Sequence, residues 1–125
     1  MNFYSLIENV VQLKPANIAI KIGKERNISY SQLGNQVSRY LNALSALGVR
    51  GGDRIVVQVE KSLPSLLLYL ACIKGGYIFV PLNTAYKASE LTHFIADAKP
   101  TLFITTIERL DEVSAFVADI KPCSA

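Results

Sequence analysis

GGYIFVPLNTAYKASELTHFI, from Gly75 to Ile95, is the stretch whose reading decides the fold. The two glycines stop whatever precedes them. Tyr77 to Val80 suit a buried strand, Pro81 to Thr84 (PLNT) make a turn, and apolar residues at helical spacing predict a helix over Ala88 to Ala98. A short apolar strand feeding a helix across a tight turn is half of a βαβ unit, so the flanking sequence must supply the rest.

It does so on both sides. Upstream, Arg54 to Val59 (RIVVQV) reads as a buried strand, and Ser62 with Pro64 in the first turn opens a helix through LLLYLACIK to Gly75. That helix is apolar on nearly every side and is expected to be sandwiched. Downstream, Thr101 to Thr105 (TLFIT) predicts another strand and Ile107 to Ile120 a last helix. Strands of about five residues alternating with helices of about ten or more imply crossovers of one hand. The expected fold is therefore α/β, a layered, mostly parallel sheet with helices on both faces.

The N-terminal part is attached to this core. Met1 to Leu13 places Phe3, Leu6, Ile7, Val10 and Val11 at helical spacing ahead of Pro15. Ala16 to Ile22 alternates as a strand does, GKER (Gly23 to Arg26) offers a turn, and Asn27 to Ser29 returns, which predicts a small hairpin within residues 15–29. Ser29 followed by Gln32 fits a capping box, and Leu33, Val37, Tyr40, Leu41, Leu44 and Leu47 form one stripe ending at Gly48. One domain over residues 1–125, with a βαβ core over 54–120, is the expected organisation.

Composition removes several classes of function. In 125 residues, thirteen Lys and Arg against ten Asp and Glu give a net charge of +3, scattered rather than clustered with aromatics, so no nucleic-acid surface is expected. The longest apolar run, Leu66 to Ile73, falls well short of the roughly 20 residues that span a bilayer. Met1 to Val11 lacks the basic start of a signal peptide and contains Glu8. Cys72 and Cys123 are spaced for neither a metal site nor a disulfide framework. A cytoplasmic protein with no resident metal is the expectation.

Few residues offer chemistry. His93 is the sole histidine, and no Ser, Cys or carboxylate is placed by sequence to form a triad with it, so it reads as a surface or boundary residue. Gly51-Gly52 and Gly75-Gly76 follow helices and precede strands, the reverse of a phosphate-binding loop, and read as helix stops and turns. No catalytic residue is predicted. Glu60, Lys61 and the turn Asn83, Thr84, Ala85 and Tyr86 stand at the carboxyl ends of predicted parallel strands, where open α/β sheets bind ligands.

Four segments carry a resemblance: ISYSQL (Ile28 to Leu33), ALGVRGGDRIVV (Ala46 to Val57), LYLACIKGGYIFVPLN (Leu68 to Asn83) and FIADAKPTLFIT (Phe94 to Thr105). In this order they resemble the opening of the adenylate-forming acyl-CoA synthetases, with Gln32 in place of the usual acidic residue and Tyr77 in place of the usual alanine. Within that family, the wording from Val59 to Pro100 is most similar to malonyl-CoA synthetases. The resemblance implies the N-terminal subdomain of the synthetase fold, and a full-length relative that uses ATP, Mg and CoA. It places Asn83 to Tyr86 near the pantetheine tunnel and Arg109 near the CoA nucleotide.

The family's Gly/Ser/Thr-rich phosphate loop, its aromatic-Gly-x-Thr-Glu segment, its ribose-binding aspartate and its catalytic lysine do not occur in these 125 residues. The resemblance therefore implies a chain that holds no cofactor alone and is inactive until the remainder of the synthetase is supplied. Two other readings stand beside it: a non-catalytic binding or self-association module, and a small doubly wound nucleotide binder.

Overall fold

The computed structural model describes residues 3–22, 26–106 and 121–124. Helix α1 (Tyr4–Leu13) is followed by strands β1 (Ile18–Ile22) and β2 (Arg26–Ser29), which pair antiparallel as a separate two-stranded sheet. Helix α2 (Tyr30–Ala46) starts on the capping box expected of its sequence: Ser29 Oγ accepts from the Gln32 N–H at 3.2 Å, and Gln32 Oε1 accepts from the Ser29 N–H at 2.9 Å. Such a cap contributes about 1 kcal/mol by pairing N–H groups that the first helical turn leaves open.

Strand β3 (Arg54–Gln58), helix α3 (Leu63–Gly75), strand β4 (Ile78–Pro81), helix α4 (Ala88–Ala98) and strand β5 (Leu102–Thr105) form the βαβαβ core. A further strand, β6 (Lys121–Ser124), pairs with β5, giving the order β4-β3-β5-β6 with every neighbour parallel. The sequence reading did not anticipate β6, and its predicted helix Ile107 to Ile120 lies outside the described residues.

The sheet grows from β3 in one direction to β4 and then in the other to β5. Crossovers of one hand must then lay α3 and α4 on opposite faces. The core divides accordingly. Ile55, Val57, Leu102 and Ile104 pack with α1, α2 and α3, among them Tyr4, Val37, Leu67 and Cys72. Their alternates Val56 and Phe103 pack with Leu91 and Ile95 of α4. Both faces of β3 and β5 are buried, which is why these strands are continuous apolar runs rather than alternating ones.

Helix α3 differs somewhat from expectation. The sheet, α1 and α2 contact it, yet Leu66 and Tyr69 remain 39% and 41% exposed, with the Tyr69 ring edge-on to Phe79 of β4. The glycine pairs close the opposite end of the sheet. Gly76, with φ 74°, ends α3 and accepts at its carbonyl from the Gly52 N–H at 2.9 Å. Both pairs thus lie at the amino ends of the strands, away from the edge where a ligand would bind.

Candidate functional site

The chain leaves β3 for β4 and returns past it to β5, so the topological switch point lies between the carboxyl ends of β3 and β5. Ligands of open parallel sheets sit in the crevice at that point. Two arrangements occupy this edge, one on each face of the sheet.

On the α4 face, Gln58 ends β3 and is 3% exposed. Its Nε2 donates to the carbonyl of Asn83 at 2.9 Å and to that of Tyr86 at 3.2 Å. Because both partners are acceptors, the amide orientation is fixed, and Gln58 Oε1 is left buried without a hydrogen-bond partner among the described residues. The Gln58 carbonyl in turn accepts from Thr105 Oγ1 at 3.0 Å, joining the ends of β3 and β5. The turn itself is an Asx turn, with Asn83 Oδ1 accepting from the Ala85 N–H at 2.8 Å and the Tyr86 ring stacked on Phe94 at 4.8 Å. A buried glutamine therefore clamps the whole turn after β4 onto the neighbouring strand.

On the α2 and α3 face lies an open cup of about 630 Å³. Its apolar lining includes Leu44, Leu68, Val59 and Ile104, while Arg39 of α2 and Glu60, just past β3, supply charge. Ser62 and Ser65 also line it, and their hydroxyls take part in the cap of α3: Ser62 Oγ accepts from the Ser65 N–H at 3.3 Å, and Ser65 Oγ donates to the Ser62 carbonyl at 2.8 Å. At the far side of α3, Lys74 Nζ pairs with Glu8 at 3.2 Å, donates to Ser38 Oγ at 3.2 Å and lies 5.3 Å from the centre of the Tyr4 ring. That group ties α1, α2 and α3 together.

The titrating groups with resolved shifts are structural. Burial pushes the Cys72 thiol up to about 12, which removes it as a nucleophile near neutral pH. Burial, and then Glu8, raise Tyr4; burial, then Cys72 and Asp53, raise Tyr77. Among the described residues no group of three or more His, Cys, Asp or Glu is arranged to hold a metal ion.

Of the residues singled out in sequence, Asn83 to Tyr86 do come together as one turn at the carboxyl edge. Glu60 and Lys61 are exposed at the same edge, and Arg109 lies outside the described residues. His93 is exposed on α4. The residue that sequence reasoning passed over is Gln58. Its signal was present as a lone amide between Val57 and Val59 at the end of an apolar strand.

Residues 7–124 match the family described as AMP-binding enzyme. The chain belongs to that family. It is 34% identical over 107 residues to a feruloyl-CoA synthase from Amycolatopsis sp, covering 86% of this chain and 22% of that protein. With the oxalate–CoA ligase of Arabidopsis thaliana it shares 27% over 104 residues, which is 82% of this chain and 20% of the ligase. The ATP-bound crystal structure of MatB from Rhodopseudomonas palustris superposes with a TM-score of 0.86 at 35% identity, covering 99% of this chain and 25% of MatB. The chain thus spans about a quarter of MatB and about a fifth of the feruloyl-CoA synthase and of the oxalate–CoA ligase, and its fold is that of the N-terminal domain of the acyl-CoA synthetases. No helix among the described residues is long and apolar enough to cross a membrane.

Proposed function

We propose that this chain is the N-terminal part of an ATP-dependent acid–CoA ligase that acts on malonate, forming an acyl adenylate and then the CoA thioester. The observation that carries this reading is the match to ATP-bound MatB, which extends over 99% of the chain at 35% identity. The similarity of residues 59–100 to malonyl-CoA synthetases supplies the acid.

In this reading the remainder of the synthetase is the partner. It supplies the phosphate loop, the metal ligands and the catalytic lysine, which the described residues do not provide. This chain contributes the turn Asn83 to Tyr86 and Arg109 on the CoA side. A turn that meets a flexible pantetheine arm has to keep its shape, and the clamp from Gln58 does this without using an exposed group. The chain on its own is inactive until the remainder is present, and this reading places the ligase in the cytoplasm.

The test is ATP–pyrophosphate exchange with malonate, run on the chain alone and with the remainder of a related synthetase added in trans. Exchange only on complementation supports the reading. No exchange in either case, together with a stable dimer in sedimentation, favours a self-association module; exchange by the chain alone refutes the dependence on a remainder.

A further inference from the structure

We propose that the outward face of α1 pairs two copies of this chain, antiparallel, across a two-fold axis. Phe3, Leu6 and Leu13 are 60%, 58% and 79% exposed, more than any other large apolar side chain among the described residues. With half-buried Val10 they form one row along the helix, at intervals of three, four and three residues. That is the spacing of the a and d positions in a helix–helix seam. The other side of α1 is already used: Tyr4 and Ile7 belong to the core, Val11 lies over Gly34 of α2, and Glu8 pairs with Lys74 of α3. One ten-residue helix thus carries two apolar faces, and the described residues cover one of them.

The row is its own complement, which selects a second copy as the occupant. When residue 8 is set against residue 8 of an antiparallel copy, Phe3 meets Leu13 and Leu6 meets Val10, and the same contacts repeat on the other side of the axis. Charge permits the approach. Between Tyr4 and Leu13 the sole charged residue is Glu8, which is held by Lys74, so no like charges face each other across the seam. Direction is set by Lys14, exposed just past the row. A parallel pair brings the two Lys14 side chains together and aligns the helix dipoles, whereas the antiparallel pair separates these lysines by about 18 Å along the axis, beyond the roughly 8 Å over which such charges act in physiological salt, and opposes the dipoles. Four side chains on three helical turns make a small interface, below about 1,200 Å² in total, so the dimer is weak and depends on concentration. The proposal is independent of the ligase reading, because α1 supplies neither the turn Asn83 to Tyr86 nor a lining residue of the cup.

The experiment is sedimentation equilibrium over a range of chain concentrations, with circular dichroism confirming that each variant is folded. The parent is expected to pass from monomer to dimer. Phe3→Lys and Leu13→Glu, both at exposed positions, should each weaken association at least about tenfold, because either change brings two charges against apolar partners in a symmetric dimer. An equimolar mixture of the two variants should recover it: the mixed antiparallel dimer keeps one native Phe3–Leu13 end and closes the other with a lysine–glutamate pair. Leu66→Glu, at an exposed apolar position on α3, should leave association unchanged. The proposal is overturned if the parent stays monomeric up to about 1 mM, if Leu66→Glu disrupts the dimer as much as Leu13→Glu does, or if mixing the two α1 variants restores nothing.

Discussion

Gln58 Nε2 lies 2.9 Å from the carbonyl oxygen of Asn83, so the last residue of β3 holds the turn that follows β4. A second bond from the same nitrogen reaches Tyr86 at 3.2 Å. The turn's position is therefore set by the neighbouring strand as much as by its own Asx geometry.

Gln58→Leu removes both donors while keeping an apolar volume in the core. Two carbonyls lose a partner, and the expected cost is about 1–3 kcal/mol. Amide exchange at Ala85 and Tyr86 should quicken more than exchange in β5, because the clamp acts on the turn. Uniform quickening across the sheet would mean that Gln58 only supports the fold. Gln58→Glu gives the complementary sign. A buried carboxylate facing two carbonyls has its acid form favoured, so stability is present at low pH and is lost as pH rises through the carboxylate range.

Cys72 predicts an alkaline limit. The thiol is fully buried and its folded pKa of about 12 stands above the ordinary 9.0, so the folded state requires the protonated form. The sign follows directly: the unfolded chain releases this proton first, and stability is intact below pH 9 and falls as pH rises toward 12. The slope from this group is about 1.4 kcal/mol per pH unit in that window. Denaturant titrations between pH 8 and 11 should show a shallower fall in Cys72→Ala than in the parent, although the variant starts lower because of the small cavity it creates. Tyr4 and Tyr77, raised in the same direction, add to the decline.

Much of the fold was legible because its signals are local. The Ser29–Gln32 capping box, Pro64 in the first turn of α3 and Gly76 as the stop of that helix are each set by a few adjacent residues, and each stands as read. What escaped the sequence depends on distant contacts. Strand β6 contains Pro122 within four residues and gains its strand character by pairing with β5. The clamp of Gln58 joins residues 25 and 28 positions apart, and the cup assembles from α2, α3 and the ends of two strands. No window along the chain contains either one. The exposed faces of Leu66 and Tyr69 show the converse, since a helix apolar all round reads as enclosed whether or not the chain itself supplies every wall.

Gly75 is held by contact rather than by backbone conformation. A Cβ there would meet Leu41 Cδ1 at 2.8 Å and Tyr77 Cζ at 2.7 Å, both closer than van der Waals contact permits. Gly75→Ala should cost about 1–3 kcal/mol in spite of alanine's better helix propensity, because the Tyr77 ring and Leu41 must shift together. Leu41→Ala, introduced with it, vacates one of the two contacts. The double variant should therefore lose less than the sum of the singles in a double-mutant cycle, and strict additivity would show that Tyr77 alone opposes the methyl group.

Lys99 offers a test in the stabilising direction. It ends α4 with φ 49°, the left-handed region that favours glycine, and its N–H donates to the Ile95 carbonyl at 3.0 Å. Lysine pays for that conformation through its Cβ, at about 1 kcal/mol, and its side chain is exposed. Lys99→Gly removes the steric cost but gives the unfolded chain more freedom, at about 0.4–1 kcal/mol. The expected net gain is therefore a few tenths of a kcal/mol, small but positive, read as a higher denaturant midpoint at unchanged slope. Lys99→Val, whose branched Cβ tolerates the conformation least, should fall on the other side of the parent. A Val variant as stable as the Gly variant would mean that the end of α4 rearranges without cost, and that the Arg54 guanidinium, which donates to the Ala98 carbonyl at 2.9 Å, does not hold it in place.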